Sequence, residues 1–335
     1  MSRIKHLHLV LPQALGLLRS NSAMAPTLLN WLQQAERYRL WTPDDLQHAH
    51  LDPWQHALLH SLPASLRAHG LASGALQWRG EGGTWPTGSC LHAEWVHLQA
   101  GMDDLRLQLP TPPSVDEQAQ LLASVQPLLS LAGFDLQASS GASPSLYLMT
   151  TRSLRLSCYS PRAGFATRVY DILPQGEHGP ELRRLMTEVQ MLLHEHPVNN
   201  LRTQRGLPTL NALWLWGAAP VDLVTERCQQ RLLSNHPYVQ GLAEHLHLPC
   251  WPVPADVSAL LSVEAAQTLL VLPPAVQQEA VGSPWLAELD AALTRADIEQ
   301  LDVYLDHWRL RLYGGRLSHW RRKFDKRRDL NELLA

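Results

Sequence analysis

The sequence predicts an α/β protein: a mostly parallel central sheet flanked by helices, with a small α+β insert. Three features predict it. Ile4–Leu11 reads as a buried strand that opens an α/β core, and Asn211–Trp216 is a near-continuous apolar run, as a strand buried on both faces requires. From Asn211 onward, short apolar runs alternate with helical patterns, the arrangement that builds parallel sheets. The chain has 335 residues, 45% of them apolar and only 18% charged, enough to enclose a large core.

The elements can be justified in order. After the first strand, Pro26 opens a segment with Leu28, Leu29, Leu32 and Ala35 at helical spacing, ending near Arg39. Thr42-Pro43-Asp44-Asp45 reads as an N-cap, a proline at the first helical position and two acids in the first turn; Asp52-Pro53 repeats the device. Gly80–Ser89 reads as a flexible loop. Trp95–Leu98 and Leu105–Leu109 alternate as strands around a Gly101–Asp104 turn. Ser114-Val115-Asp116-Glu117 is a capping box for a helix to about Leu131, which Gly133 ends. Phe134–Gln137, Leu146–Met149 and Leu154–Tyr159 read as short strands. Pro180 starts an amphipathic helix that Pro197 stops, and Pro-Val-Asn is read as extended. The closing series is a strand at 211–216, a helix at 221–233 and a strand at 246–251. A helix at 257–267, a strand at 268–272, a helix at 284–293 and a strand at 300–305 complete it. The division follows: a core of residues 1–110 and 174–335, and an insert at 111–173.

Composition excludes several classes. A net charge of −3 gives no global attraction to polyanions. Four dispersed cysteines, without a Cys-x-x-Cys pair, exclude a zinc ribbon and a disulfide scaffold and suit a cytoplasmic protein. The Arg3–Ala25 stretch imitates a signal peptide, but Pro12 and Pro26 favour the buried strand. No apolar run is long enough to span a membrane. Only three of 28 cationic residues are lysine, the usage of a GC-rich bacterial genome. Residues 316–328 form a basic C-terminal segment with seven cationic residues and one acid. It reads as a solvated helical end rather than a nucleic-acid contact. His48, His50, His56 and His60 cluster, and the i,i+4 pair His56/His60 could share a metal. Without a third ligand or a glutamate base, a solvated face is the preferred reading. No Walker loop, GxGxxG or nucleophile elbow occurs.

The most informative segment is 194–217, HEHPVNNLRTQRGLPTLNALWLWG. Asn199, Asn200, Arg202 and Arg205 gather polar and cationic groups at the entry to an apolar strand, where open sheets place ligand sites. Trp214 and Trp216 should share one environment if the strand is regular.

Residues 190–217 resemble the signature of the RpfE-type regulatory proteins of proteobacteria, relatives of the archaeal-type cofactor-independent phosphoglycerate mutases. LHLVLP at 7–12, EWVHLQAGMDDLRL at 94–107, GFDLQ at 133–137 and LPQG at 173–176 extend the resemblance. It implies an alkaline-phosphatase-superfamily fold and makes His196, Asn199, Arg202, Arg205 and Asn211 the candidates for an anionic group, Asn199 and Arg202 first among them, since a guanidinium offers two parallel donors to phosphate. Active mutases of that superfamily hold two divalent metals with Asp and His beside a Ser or Thr nucleophile. Here the first strand ends LHLVLPQALGLL without an acid, Trp216-Gly217 replaces an Arg-Gly pair, and only Asp302, Asp306 and His307 remain late in the chain. The expectation is therefore a degenerate scaffold with no catalytic residues, no metal and no cofactor, regulatory through an anionic ligand or a protein partner. The alternative is an active metal-dependent phosphoglycerate mutase or phosphatase.

Overall fold

The structure, a computed structural model, describes residues 4–12, 26–42, 50–101, 105–140, 144–162, 168–222, 224, 230–262, 266–272 and 284–315. Its first elements are β1 (Ile4–Val10), α1 (Pro26–Gln34), β2 (Glu36–Arg39), α2 (Pro53–His60), α3 (Ser73–Gly80), β3 (Ser89–Ala100) and β4 (Leu105–Gln108). Then come α4 (Val115–Leu131), β5 (Asp135–Ala138), β6 (Leu146–Thr150), α5 (Gly179–His194), α6 (Pro197–Gln204) and β7 (Ala212–Trp216). The chain continues through β8 (Arg231–Leu233), α7 (Pro237–His245), β9 (Cys250–Trp251), α8 (Val257–Leu261) and β10 (Gln267–Val271). It closes with α9 (Pro284–Arg295), β11 (Ile298–Leu305) and β12 (Trp308–Tyr313).

The chain divides into two compact units. The first comprises residues 1–42, 53–68 and 224–335; the second comprises 43–52 and 69–223. The second unit thus reaches well beyond the 111–173 insert read from sequence. The cause is pairing: β3 binds β6 on one side and β7 on the other, which draws residues 89–100 and 212–216 into one sheet.

The first unit holds a seven-stranded sheet in the order β2-β12-β11-β1-β10-β8-β9. β1 pairs in parallel with β10 and β11, and β8 pairs in parallel with β10 and β9, whereas β12 and β2 are antiparallel additions at one edge. The sheet is therefore mixed, with four parallel and two antiparallel pairings, and the second unit's five strands are all antiparallel. Side chains alternate across a strand, and the two faces of the first sheet differ sharply. Leu7, Leu9, Leu301, Val303, Leu310 and Leu312 line an apolar face, covered by Leu28, Trp31 and Leu32 of α1 and Leu286, Leu289 and Leu293 of α9. Trp31 secures the layer by donating its indole N–H to Asp290 at 2.7 Å. The opposite face carries His6, His8, Asp302 and Tyr304, and α2 packs on β1 and β11 outside the apolar cluster.

In the second unit the capping box forms as expected. Ser114 Oγ accepts from Glu117 N, and Glu117 Oε2 accepts from Ser114 N. Pro197 does not leave an extended stretch: it opens α6, with His196 as N-cap, because proline at the first helical position has no N–H to waste. Leu154–Tyr159 forms no strand, only a bridge between Ser157 and Gln175. In the first unit, Arg231–Leu233, read as the end of a helix, is β8.

Candidate functional site

The polar residues of 194–217 are built into the second unit as ties. His196 Nδ1 accepts from Val198 N, which places its ring proton on Nε2, 2.9 Å from Ser124 Oγ on α4. Burial holds this imidazole below its ordinary pKa. Asn199 donates to the carbonyls of Leu193 and Leu210 and accepts from Leu210 N at 2.7 Å, closing the loop between α5 and β7. Arg202, 1% exposed, donates Nε to Pro208 O, Nη1 to Glu117 and Nη2 to Thr111 O. Arg205 is exposed and lies 4.0 Å from Glu117. Asn211 exchanges two hydrogen bonds with the backbone of Leu98, so its side-chain amide serves as one more rung between β3 and β7. His196, Arg202 and Arg205 thus converge on α4, while Asn199 and Asn211 lock the loop and the strand entry. Trp214 and Trp216 are both buried on one strand face, donating to Tyr159 O and Glu94 Oε1.

Glu94, unremarked in the sequence beyond its place in the strand, anchors a second network. Arg162 grips it through two 2.9 Å bonds and lies 3.7 Å from Asp52, which accepts from Ser160 Oγ. Burial alone would weaken the guanidinium's proton affinity, but the two carboxylates more than compensate and hold it above its ordinary pKa. Nearby, His92 stacks on Trp216 with ring centroids 4.2 Å apart, and burial lowers it to about pKa 4. The buried thiols of Cys90 and Cys158 are pushed up to about 12 by burial, so neither is a nucleophile at neutral pH.

The histidine run is divided. His48 lies outside the described residues. In the second unit His50 stacks on Tyr159 and places Nδ1 2.8 Å from Cys158 O. In the first unit His56 and His60 flank the indole of Trp41 at 5.6 and 5.5 Å, and His56 is buried, so this is no solvated face. The basic 316–328 segment and the Arg3–Ala25 leader-like stretch fall mostly or wholly outside the described residues.

The richest constellation lies on the polar face of the first unit's sheet. His6 and His8 alternate onto that face of β1, and His8 pairs in register with Asp302 of β11. His6 Nε2 is 3.2 Å from Asp302 Oδ2, the two imidazoles lie tilted with their centroids 3.9 Å apart, and His8 Nδ1 lies 3.1 Å from Tyr304 Oη. Arg311 holds Asp302 through two 2.8 Å bonds. Burial would raise the Asp302 carboxyl, but hydrogen bonds from Arg311 and His6 outweigh it and keep the group ionised well below the carboxylate range. Burial, then the neighbouring His6, Arg311 and Arg309, lower His8 to about 3, so it is neutral at physiological pH.

A two-metal centre does not fit these residues. Among the described residues, one grouping of three His, Asp, Glu or Cys side chains comes close enough to hold an ion, and it contains one carboxylate. Two adjacent divalent ions would place four positive charges against that single carboxylate, already paired with a guanidinium and close to a second arginine.

Fold and site together define a two-unit α/β protein, one mixed and one antiparallel sheet, whose polar clusters are internally paired. No family model matches the chain. The 2,3-bisphosphoglycerate-independent phosphoglycerate mutase of Methanothrix thermoacetophila is 38% identical over 63 residues, 19% of this chain and 16% of that protein. The homology to cofactor-independent phosphoglycerate mutases is therefore weak and partial. Among solved structures, the cofactor-independent phosphoglycerate mutase from Thermoplasma acidophilum aligns with TM-score 0.37 at 15% identity, covering 93% of this chain and 89% of that one. The PH0037 protein from Pyrococcus horikoshii aligns with TM-score 0.42 at 11% identity, covering 94% and 88%. Among the described residues no helix is long and apolar enough to cross a membrane.

Proposed function

We propose that this protein is a regulatory, RpfE-type relative of the cofactor-independent phosphoglycerate mutases that binds an anionic ligand or a protein partner without transferring phosphate. The observation that supports this reading is that, among the described residues, the one cluster of potential metal ligands holds a single carboxylate, Asp302, clamped by Arg311, whereas a two-metal phosphoryl-transfer centre needs several anionic ligands. The alternative, an active mutase or phosphatase, draws on the 63-residue match to the Methanothrix enzyme. One assay separates them: interconversion of 2- and 3-phosphoglycerate, and phosphate release from either, by the purified chain with manganese, cobalt, zinc or magnesium. The expected result is no turnover above the buffer rate with any ion. Metal-dependent turnover abolished by a chelator would replace the regulatory reading with the enzyme.

A further inference from the structure

The paired strands β1 and β11 present two imidazoles and one carboxylate to the same space. His6 and His8 are two residues apart on one strand, and so share a face. The register that sets His8 opposite Asp302 brings the carboxylate to that face from the neighbouring strand. One ligand atom from each of the three lies within 4.8 Å of the other two.

The spacing suits a transition metal. Bonds of ~2.0–2.1 Å put adjacent donors about 2.9 Å apart in an octahedral site and about 3.4 Å in a tetrahedral one. His6 Nε2 and Asp302 Oδ2, at 3.2 Å, fall between these values. The surroundings set the donors as ligands. If His8 Nδ1–H donates to Tyr304 Oη, its Nε2 lone pair is left open. Arg311 binds the two oxygens of Asp302 from the β12 side and fixes the carboxylate's plane. Gln300 places its amide nitrogen 2.9 Å from His6 Nε2 and 3.3 Å from Asp302 Oδ1, bracing two of the three donors from the side. His6, 22% exposed in its side chain, gives the way in, while the Asp302 side chain is 1% exposed.

We propose that His6, His8 and Asp302 form a mononuclear site for a divalent transition metal, joining β1 to β11 on the polar face of the first unit's sheet. Two histidines and one carboxylate on one side of an ion leave coordination positions open, the pattern that suits zinc, iron(II), cobalt(II) or nickel(II) rather than calcium or magnesium. The donors sit in mid-strand, one ion's worth, and the inference does not depend on the regulatory reading. The nearby Arg311 and Arg309 oppose a cation, which weakens the site and favours an anion in the open positions.

The test is zinc and cobalt(II) titration of the metal-free full chain, followed by native mass spectrometry and, for cobalt, visible absorption. The expected result is one ion per chain, with a cobalt spectrum of nitrogen and oxygen ligation. His6→Gln, at the partly exposed ligand, should weaken zinc by about tenfold or more, as should Asp302→Asn, while His194→Gln, at an exposed histidine of the second unit, leaves it unchanged. Circular dichroism of each variant shows that the fold survives. Should Asp302→Asn fail to fold, His6→Gln and His8→Gln decide the matter. No bound ion, or one ion whose affinity is indifferent to His6→Gln and His8→Gln, overturns the site. Two ions that survive both substitutions overturn it as well, and phosphoglycerate turnover then tests the regulatory reading separately.

Discussion

His92 lies on β3 between the indole of Trp216 and the ring of Tyr147, among Glu94, Glu81 and Arg162, with its Nε2 buried and without a hydrogen-bond partner. In the unfolded chain it protonates near 6.5; in the folded chain burial moves this to about 4. The folded state therefore binds fewer protons, and stability is lost as pH falls through the interval between these values, with no further loss below about 4. Between about pH 7.5 and about pH 4.5 the unfolded state gains nearly a full proton and the folded state about a quarter of one, costing ~2.5 kcal/mol. The variant His92→Phe keeps a ring against Trp216 and removes the titration. Urea unfolding of both proteins at each pH, followed by tryptophan fluorescence, gives the difference; His8 contributes equally to both and cancels. The variant should gain ~2.5 kcal/mol on the parent across this range. Two parallel pH profiles, or an NMR titration of His92 near 6.5, would refute the reasoning.

Other substitutions follow from the same geometry. Glu117→Leu strands the Arg202 guanidinium and should destabilise the second unit by ~3–5 kcal/mol in denaturant unfolding. Asn211→Ala removes the amide rung to Leu98 and should cost ~1–3 kcal/mol, with faster amide exchange at Leu98. Gly217→Ala puts a methyl group 2.4 Å from Ser73 Oγ at a residue with φ +77°, and should lower stability by ~2 kcal/mol or more in the same measurement.

Local chemistry explains what the sequence reveals of this fold. The capping box at Ser114, the proline-led α2 and α9 and the strand β1 announce themselves within a few residues, and each forms close to its expected place. β2 is hidden because Glu36-Arg37-Tyr38-Arg39 is polar and largely exposed, and becomes a strand only by pairing with β12, remote in sequence. β7 shows as an apolar run, but nothing in that run says that its partner is antiparallel β3 rather than a parallel neighbour. The candidate site divides in the same way. Polar residues at 196–211 are conspicuous, yet their partners, Glu117, Leu98 and Ser124, lie on other elements. The HLHL alternation of β1 could have signalled two imidazoles on one face, whereas the arrival of Asp302 beside them is a matter of register alone.

The order in which the strands leave the ribosome has a consequence for the nascent chain. β1 takes both its neighbours, β10 and β11, from the far end of the sequence, about 260 and 290 residues later. At ~5–20 residues per second, β1 waits about 15–60 s from its own synthesis until β11 is made. The antiparallel sheet of the second unit, contained within residues 89–216, can assemble during that interval. A hydrophobic strand with two bare edges is thus a standing substrate for chaperones, and a ribosome stalled before residue 267 would release a chain whose first strand has neither neighbour.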